Sequence, residues 1–202
     1  MTSNSGIWVI GYGSLIFKPP PCVSYKVTGY LTGYIRRFWQ SSIDHRGTPE
    51  SPGRVVTLIS LSDLKQHRNK FKDYFKYELH ENIDQLKDKD LKVYGVAYYI
   101  EPENEQFVKE YLDVREQNGY TIHNVEFHVD NSSELIQSTI YIGTTENAAF
   151  IGPESLEATS KIIKTNEGPS GPNIDYLLNL YNSIKELNVK DDYIEDLVKS
   201  CI

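Results

Sequence analysis

A chain of 202 residues is long enough to bury a core of its own, and 39% hydrophobic with 24% charged residues is ordinary for a globular protein. The formal net charge of −7 argues against binding nucleic acid through bulk electrostatics, and no apolar run approaches the ~20 residues of a membrane-spanning helix. Cys22 and Cys201, the two cysteines, lie far apart in sequence and make no disulfide framework. The polar stretch Met1 to Gly6 has none of the regions of a signal peptide, so the expected setting is the cytoplasm, and Asn131-Ser132-Ser133 reads as a plain turn rather than a glycosylation site. One domain over residues 1–202 is the simplest organisation.

In chain order, the β-branched and aromatic run Ile7 to Ile10 predicts a short buried strand. It runs into Gly11-Tyr12-Gly13-Ser14, where glycines let a ligand approach the backbone and successive N–H groups can form an anion cradle; a plain turn after an edge strand has the same composition. Lys18-Pro19-Pro20-Pro21 is an extended connection. Residues 25–42 form one long bent strand or two strands meeting near Gly33, residues 44–53 a loop, and Val55 to Leu61 a strand. Residues 62–90 are lysine-rich without a clean period and read as a peripheral excursion with one helical stretch near 62–76.

Leu91 to Ile100 restores a strand, and Pro102 sits where prolines start helices. Phe107, Tyr111, Leu112 and Val114 give that helix an approximate apolar face, and Asn118-Gly119 stops it. Tyr120 to Asp130 and Ser138 to Gly143 are two further strands. The remainder, 154–202, is helical, with helices over 154–165, 173–187 and 191–200. Strands first, one enclosed helix and helices last predict an α+β fold with a mostly antiparallel or mixed sheet. Residues 1–60 carry six Lys/Arg against two acids, leaving 15 basic and 26 acidic residues for the rest. The half with the glycine turn is the half suited to carboxylate ligands.

Several chemistries are excluded. A dinucleotide fingerprint needs a third glycine where Ile16 stands, and the prolines at 19–21 end any helix there. No phosphate loop of the G-K-[ST] type is present. The five histidines show no metal-ligand spacing with Cys or acid clusters, so no metal is expected. Ser14 lacks the G-x-S-x-G frame of a nucleophile elbow, and Cys22 has no obvious activating base. Glu116 is what remains: it sits where the helix ends and the chain turns. The negative end of the helix dipole and burial would both raise its pKa toward the range of a general base, although a surface glutamate paired with Lys or Arg fits the same position.

Three ordered stretches together resemble the ChaC family, the glutathione-specific γ-glutamylcyclotransferases, and most closely its fungal members. They are Gly11-Tyr12-Gly13-Ser14-Leu15, then Arg36-Arg37-Phe38-Trp39-Gln40 with Asp44-His45-Arg46-Gly47-Thr48-Pro49 and Pro52-Gly53-Arg54-Val55, and finally Val114-Arg115-Glu116-Gln117-Asn118-Gly119-Tyr120. Tyr141-Ile142-Gly143 and Gly168-Pro169-Ser170-Gly171 also fit, so the resemblance spans about residues 7–187 and is weakest over 62–90. It implies a γ-glutamylcyclotransferase-like fold, a small mixed β-barrel with peripheral and C-terminal helices. It implies conversion of glutathione to 5-oxoproline and cysteinylglycine without a cofactor. It also implies that Tyr12, Gly13, Ser14 and Leu15 bind the γ-glutamyl group and that Glu116 is the acid and base.

In that chemistry the substrate's α-amine is the nucleophile, and one carboxylate serves both proton transfers. The turn's N–H groups stabilise either the γ-carbonyl oxyanion or the α-carboxylate, either Arg37 or Arg54 holds a substrate carboxylate, and Tyr141 either orients the substrate or packs in the core. Two other readings use the same pocket: a cyclotransferase for other γ-glutamyl amines or peptides, and a non-catalytic γ-glutamyl metabolite-binding protein. Oligomeric state leaves no mark in the sequence.

Overall fold

The structure, a computed structural model, describes residues 5–71, 77, 83–116 and 118–202. Five strands close into a barrel in the order β1 (Ile7–Gly11), β5 (Lys92–Ile100), β2 (Val23–Thr32), β6 (Thr121–Val129) and β7 (Leu135–Ile142). Neighbours are antiparallel except at the closure, where β7 meets β1 in parallel with Val9 opposite Thr139. Closure leaves no open edge among these strands. The expected 25–42 segment resolves into two strands meeting at Gly33, β2 and β3 (Tyr34–Ser42), and they belong to different sheets. β3 pairs with β4 (Gly53–Ser60) in a separate antiparallel ribbon, from Tyr34 opposite Ser60 to Ser42 opposite Gly53.

Period-two alternation sorts the side chains of β1 into two cores. Ile10 points into the cluster with Phe38, Leu58, Phe127 and the C-terminal helices α6 (Asn173–Glu186) and α7 (Asp192–Cys201). Its neighbour Val9 points the other way, onto Val108 and Leu112 of α4 (Glu105–Arg115). A third cluster joins Ile35, Trp39 and Ile59 of the ribbon to Leu64 and Phe71 of the short helices α2 (Leu61–Gln66) and α3 (Arg68–Phe71). The helix expected near 62–76 is therefore broken at His67, and its last five positions lie outside the described residues.

The helical C-terminal part comprises α5 (Leu156–Thr165), a minimal hairpin of β8 (Glu167–Gly168) and β9 (Gly171–Pro172), then α6 and α7. Side-chain caps start two of these helices: Ser155 accepts from the Ala158 N–H at 3.1 Å, and Asp191 from the Ile194 N–H at 3.1 Å. Asp191 also lies 3.4 Å from Nε of the buried Arg36, whose two terminal nitrogens donate to Tyr12 O at 2.9 Å and Tyr94 O at 2.7 Å. One guanidinium thus ties the ribbon, two barrel segments and the start of α7 together.

The apolar face of α4 needs correction. Only Val108 and Leu112 are buried; Phe107 is 56% and Val114 69% exposed. Position 108 takes the core position that the sequence pattern assigned to 107, while residues 107, 111 and 114 form a second stripe that borders a cavity.

Candidate active site

The cavity, of about 670 Å³, opens between α1 (Ser14–Phe17), α4, the loop after β3 and the start of α6. β1 delivers its floor. The Tyr12 ring is buried and its hydroxyl donates to Tyr141 O at 2.9 Å, while Arg36 holds the Tyr12 carbonyl. A Cβ on Gly13 would stand 2.7 Å from Val56 Cγ2 and 3.0 Å from the Tyr176 hydroxyl, so the close approach of the turn to β4 and α6 requires glycine. Ser14 then opens the single-turn α1, whose leading N–H groups have no partner within the helix.

Glu116 arrives from the other side as the residue that ends α4, its N–H donating to Leu112 O at 2.8 Å. Gly119, at φ +80°, turns the chain back into β6. Arg115 fastens this end to the glycine turn: Nη2 donates to Ser14 Oγ at 2.9 Å, Nη1 donates to Lys18 O at 2.9 Å, and Nε lies 3.6 Å from Glu116 Oε1. Burial pushes the Glu116 pKa up; the charges of Arg115 and His45 pull it down, Asp44 adds to the rise, and burial wins. Tyr12, Tyr120, Tyr141 and Tyr176 surround the carboxylate with phenols whose pKa values burial also raises, so they remain protonated donors. Tyr120 donates to Val56 O at 2.9 Å and Tyr141 to Asp113 Oδ1 at 2.8 Å. Among the described residues no cluster of three or more His, Cys, Asp or Glu is arranged to hold a metal ion.

Residues 7–201 match the family model described as ChaC-like protein. The chain belongs to the ChaC-like protein family. It is 40% identical to the glutathione-specific gamma-glutamylcyclotransferase of Saccharomyces cerevisiae, over 98% of this chain and 96% of that protein. It is 37% identical to the protein of the same name from Schizosaccharomyces pombe, over 98% and 93%. A crystal structure of the yeast cyclotransferase specific to glutathione superposes with a TM-score of 0.90, covering 98% of this chain and 96% of that one at 40% identity. The mixed barrel with peripheral helices is thus the fold of γ-glutamylcyclotransferases.

In this ChaC-like chain Tyr12, Gly13, Ser14, Leu15, Tyr141 and Glu116 line one cavity, although about a hundred residues separate the turn from the glutamate. Tyr141 is 4% exposed in a core cluster and also borders the cavity. Arg37 and Arg54 are not in the lining. Arg37 is buried in the ribbon with its guanidinium 4.5 Å from the centre of the Tyr193 ring, and it donates to Arg36 O at 2.8 Å. Arg54 makes a two-point bond to Glu154, Nε to Oε2 at 2.9 Å and Nη2 to Oε1 at 2.8 Å. The ribbon carries both side chains away from the opening.

The residues that sequence reasoning passed over sit on the connecting loop. Arg46 lines the cavity, half-buried, with Nη1 donating to Pro172 O at 3.0 Å and its guanidinium 5.8 Å from the centre of the Tyr176 ring. Burial lowers its pKa, and no carboxylate stands within ion-pair distance of it among the described residues. His45 beside it is 3.0 Å from Ser170 Oγ, and Ser170 N–H donates to His45 O at 2.9 Å, which ties this loop to the β8–β9 turn. An arginine beside a histidine in a Gly- and Pro-rich loop was the available signal, since rigid scaffolds commonly present functional residues on loops.

Proposed function

We propose that this chain is a glutathione-specific γ-glutamylcyclotransferase that releases 5-oxoproline and cysteinylglycine, with Glu116 moving both protons. The observation that carries the reading is a buried carboxylate with a raised pKa in the same cavity as the Gly13-Ser14 turn. The names of relatives aligned over nearly the whole chain support the substrate. The substrate's α-ammonium has an ordinary pKa of about 8 and is mostly protonated near neutrality. Glu116 takes one of its protons, and the freed amine attacks the γ-carbonyl carbon to close a five-membered ring. The bond from that carbon to the cysteine nitrogen then breaks as Glu116 gives that proton to the departing nitrogen, and the second proton of the ring nitrogen passes through the same carboxylate to the released amine, so that 5-oxoproline forms as the neutral lactam and cysteinylglycine leaves as its ammonium. No water is consumed, and the carboxylate ends as it began.

The remaining groups bind. N–H groups at the start of α1 receive the γ-carbonyl oxyanion or the α-carboxylate. Arg46, a half-buried cation with no carboxylate within ion-pair distance among the described residues, clamps a substrate carboxylate, in place of the Arg37 or Arg54 expected from sequence. Arg115 holds the turn and the glutamate in register through Ser14. A cytoplasmic setting suits the two unpaired cysteines, and no helix among the described residues is long and apolar enough to cross a membrane. Incubation with glutathione and with γ-glutamyl-alanine in parallel, with 5-oxoproline measured in each, tests the reading. It predicts release from glutathione and little from γ-glutamyl-alanine; equal release indicates a general γ-glutamyl cyclotransferase, and none from either indicates a binding protein.

A further inference from the structure

We infer that the stripe Phe107, Tyr111 and Val114 on α4 is the subsite for the departing dipeptide, and that its length and apolar contacts favour a dipeptide over a single amino acid after the scissile bond. This rests on the cyclotransferase reading and adds the leaving-group side to it. Helix α4 already has its core stripe, Val108 and Leu112; in the second stripe Tyr111 is half-buried against that core, whereas Phe107 and Val114 are exposed. Phe107 and Val114 are 56% and 69% exposed, yet all three residues border the cavity that contains Glu116. An apolar stripe left open to water along the wall of a catalytic cavity is explained by an occupant.

The geometry fits one occupant. Val114 lies two residues before Glu116, and at 1.5 Å of rise per residue the stripe from Val114 to Phe107 is about 10 Å long. An extended dipeptide spans about 7 Å. With the γ-glutamyl group held between the glycine turn and Glu116, whatever follows the scissile bond must run outward along this wall. The cysteine methylene and thiol then meet Val114 and Tyr111, and the terminal residue reaches Phe107. Charge is consistent with a terminal carboxylate there. Lys18 is an exposed cation at the same opening, with its backbone carbonyl held by Arg115. Glu110, the acid on this wall, accepts from Gln106 Nε2 at 2.7 Å on its own helix.

The test uses the full chain carrying Phe107→Ser or Val114→Ser, with Phe107→Leu and Val114→Ile as conservative partners. Removing apolar contact should lower kcat/KM for glutathione about tenfold, weaken inhibition by cysteinylglycine by a similar factor and leave inhibition by 5-oxoproline unchanged. The Leu and Ile variants should stay near wild type, and because these positions are exposed the melting temperature should not move. Serine variants that match wild type in kcat/KM overturn the subsite, as does an equal loss of inhibition by both products. A wild-type protein that releases no 5-oxoproline from glutathione overturns the cyclotransferase reading itself, before any variant is compared.

Discussion

The arginines of the β3–β4 ribbon and those of the cavity wall have opposite roles. Arg36, Arg37 and Arg54 are buried, and each has its charge met inside the protein, by Asp191, by aromatic rings and by Glu154 respectively. Arg46 and Arg115 are half-buried beside the cavity; among the described residues Arg46 meets a carbonyl and a ring with no carboxylate at ion-pair distance, and Arg115 spends its donors on Ser14, Lys18 and the neighbouring glutamate. Arg54 and Arg46 are eight positions apart on one loop-to-strand segment, so proximity in sequence does not decide which of them is free for a ligand. The tertiary partner decides it. A guanidinium that finds a carboxylate on a neighbouring element supports the fold, and one that burial strips of water without supplying a counter-charge is available to an anionic substrate.

That contrast can be broken by substitution. Arg54→Met leaves Glu154 without its partner in a partly buried place and should cost about 2 kcal/mol, a fall of roughly 4–8 °C in melting temperature, with KM for glutathione unchanged. Adding Glu154→Met should recover part of the loss, because replacing both members removes the uncompensated charge. Arg46→Met should do the reverse: KM should rise about tenfold, close to 1.4 kcal/mol of binding, while the melting temperature holds or rises, since a cation without a counter-charge leaves the interior. A variant pair in which Arg46→Met unfolds the protein and Arg54→Met weakens substrate binding would invert the comparison.

The smallest expected effects concern pH. The active form has Glu116 ionised, so kcat/KM should fall on the acid side with a midpoint above the ordinary carboxylate value, because burial raises that pKa. The stability sign is opposite to that of a salt-bridged acid. With the folded pKa above the unfolded one, the folded state holds its proton more tightly, and stability declines as pH rises from the unfolded value through the folded one. Glu116→Gln should therefore melt higher than wild type at neutral pH and converge with it near pH 4. A constant difference across that range would show that the carboxylate is not shifted.

Much of this molecule is legible in its sequence, for identifiable reasons. The strands announce themselves by β-branched runs, and Gly33 marks the junction of β2 and β3, but composition does not reveal that the two strands enter different sheets. Glu116 and the Tyr12-to-Leu15 turn stand out by their positions at element ends, but position alone fits a surface glutamate and a plain turn as well, and it is the family resemblance that singles them out. That Arg37 and Arg54 lie outside the cavity lining is not legible locally, because partner choice is a long-range property: Glu154 lies a hundred positions from Arg54, and Tyr193 more than a hundred and fifty from Arg37. The face of α4 was misassigned for a related reason. Residues 107, 111 and 114 carry a helical apolar period as good as that of 108 and 112, and only the packed barrel determines which stripe meets β1 and which meets the cavity.

The central claim is that Glu116 does the chemistry while the glycine turn and the cavity arginine hold the substrate. Turnover of glutathione by Glu116→Gln, measured as 5-oxoproline beside a binding assay on the same preparation, tests it most directly. The amide keeps the shape and loses the base, so release should fall at least about a hundredfold while glutathione still raises the melting temperature. A variant that binds glutathione and keeps more than a few percent of wild-type release would contradict the assignment.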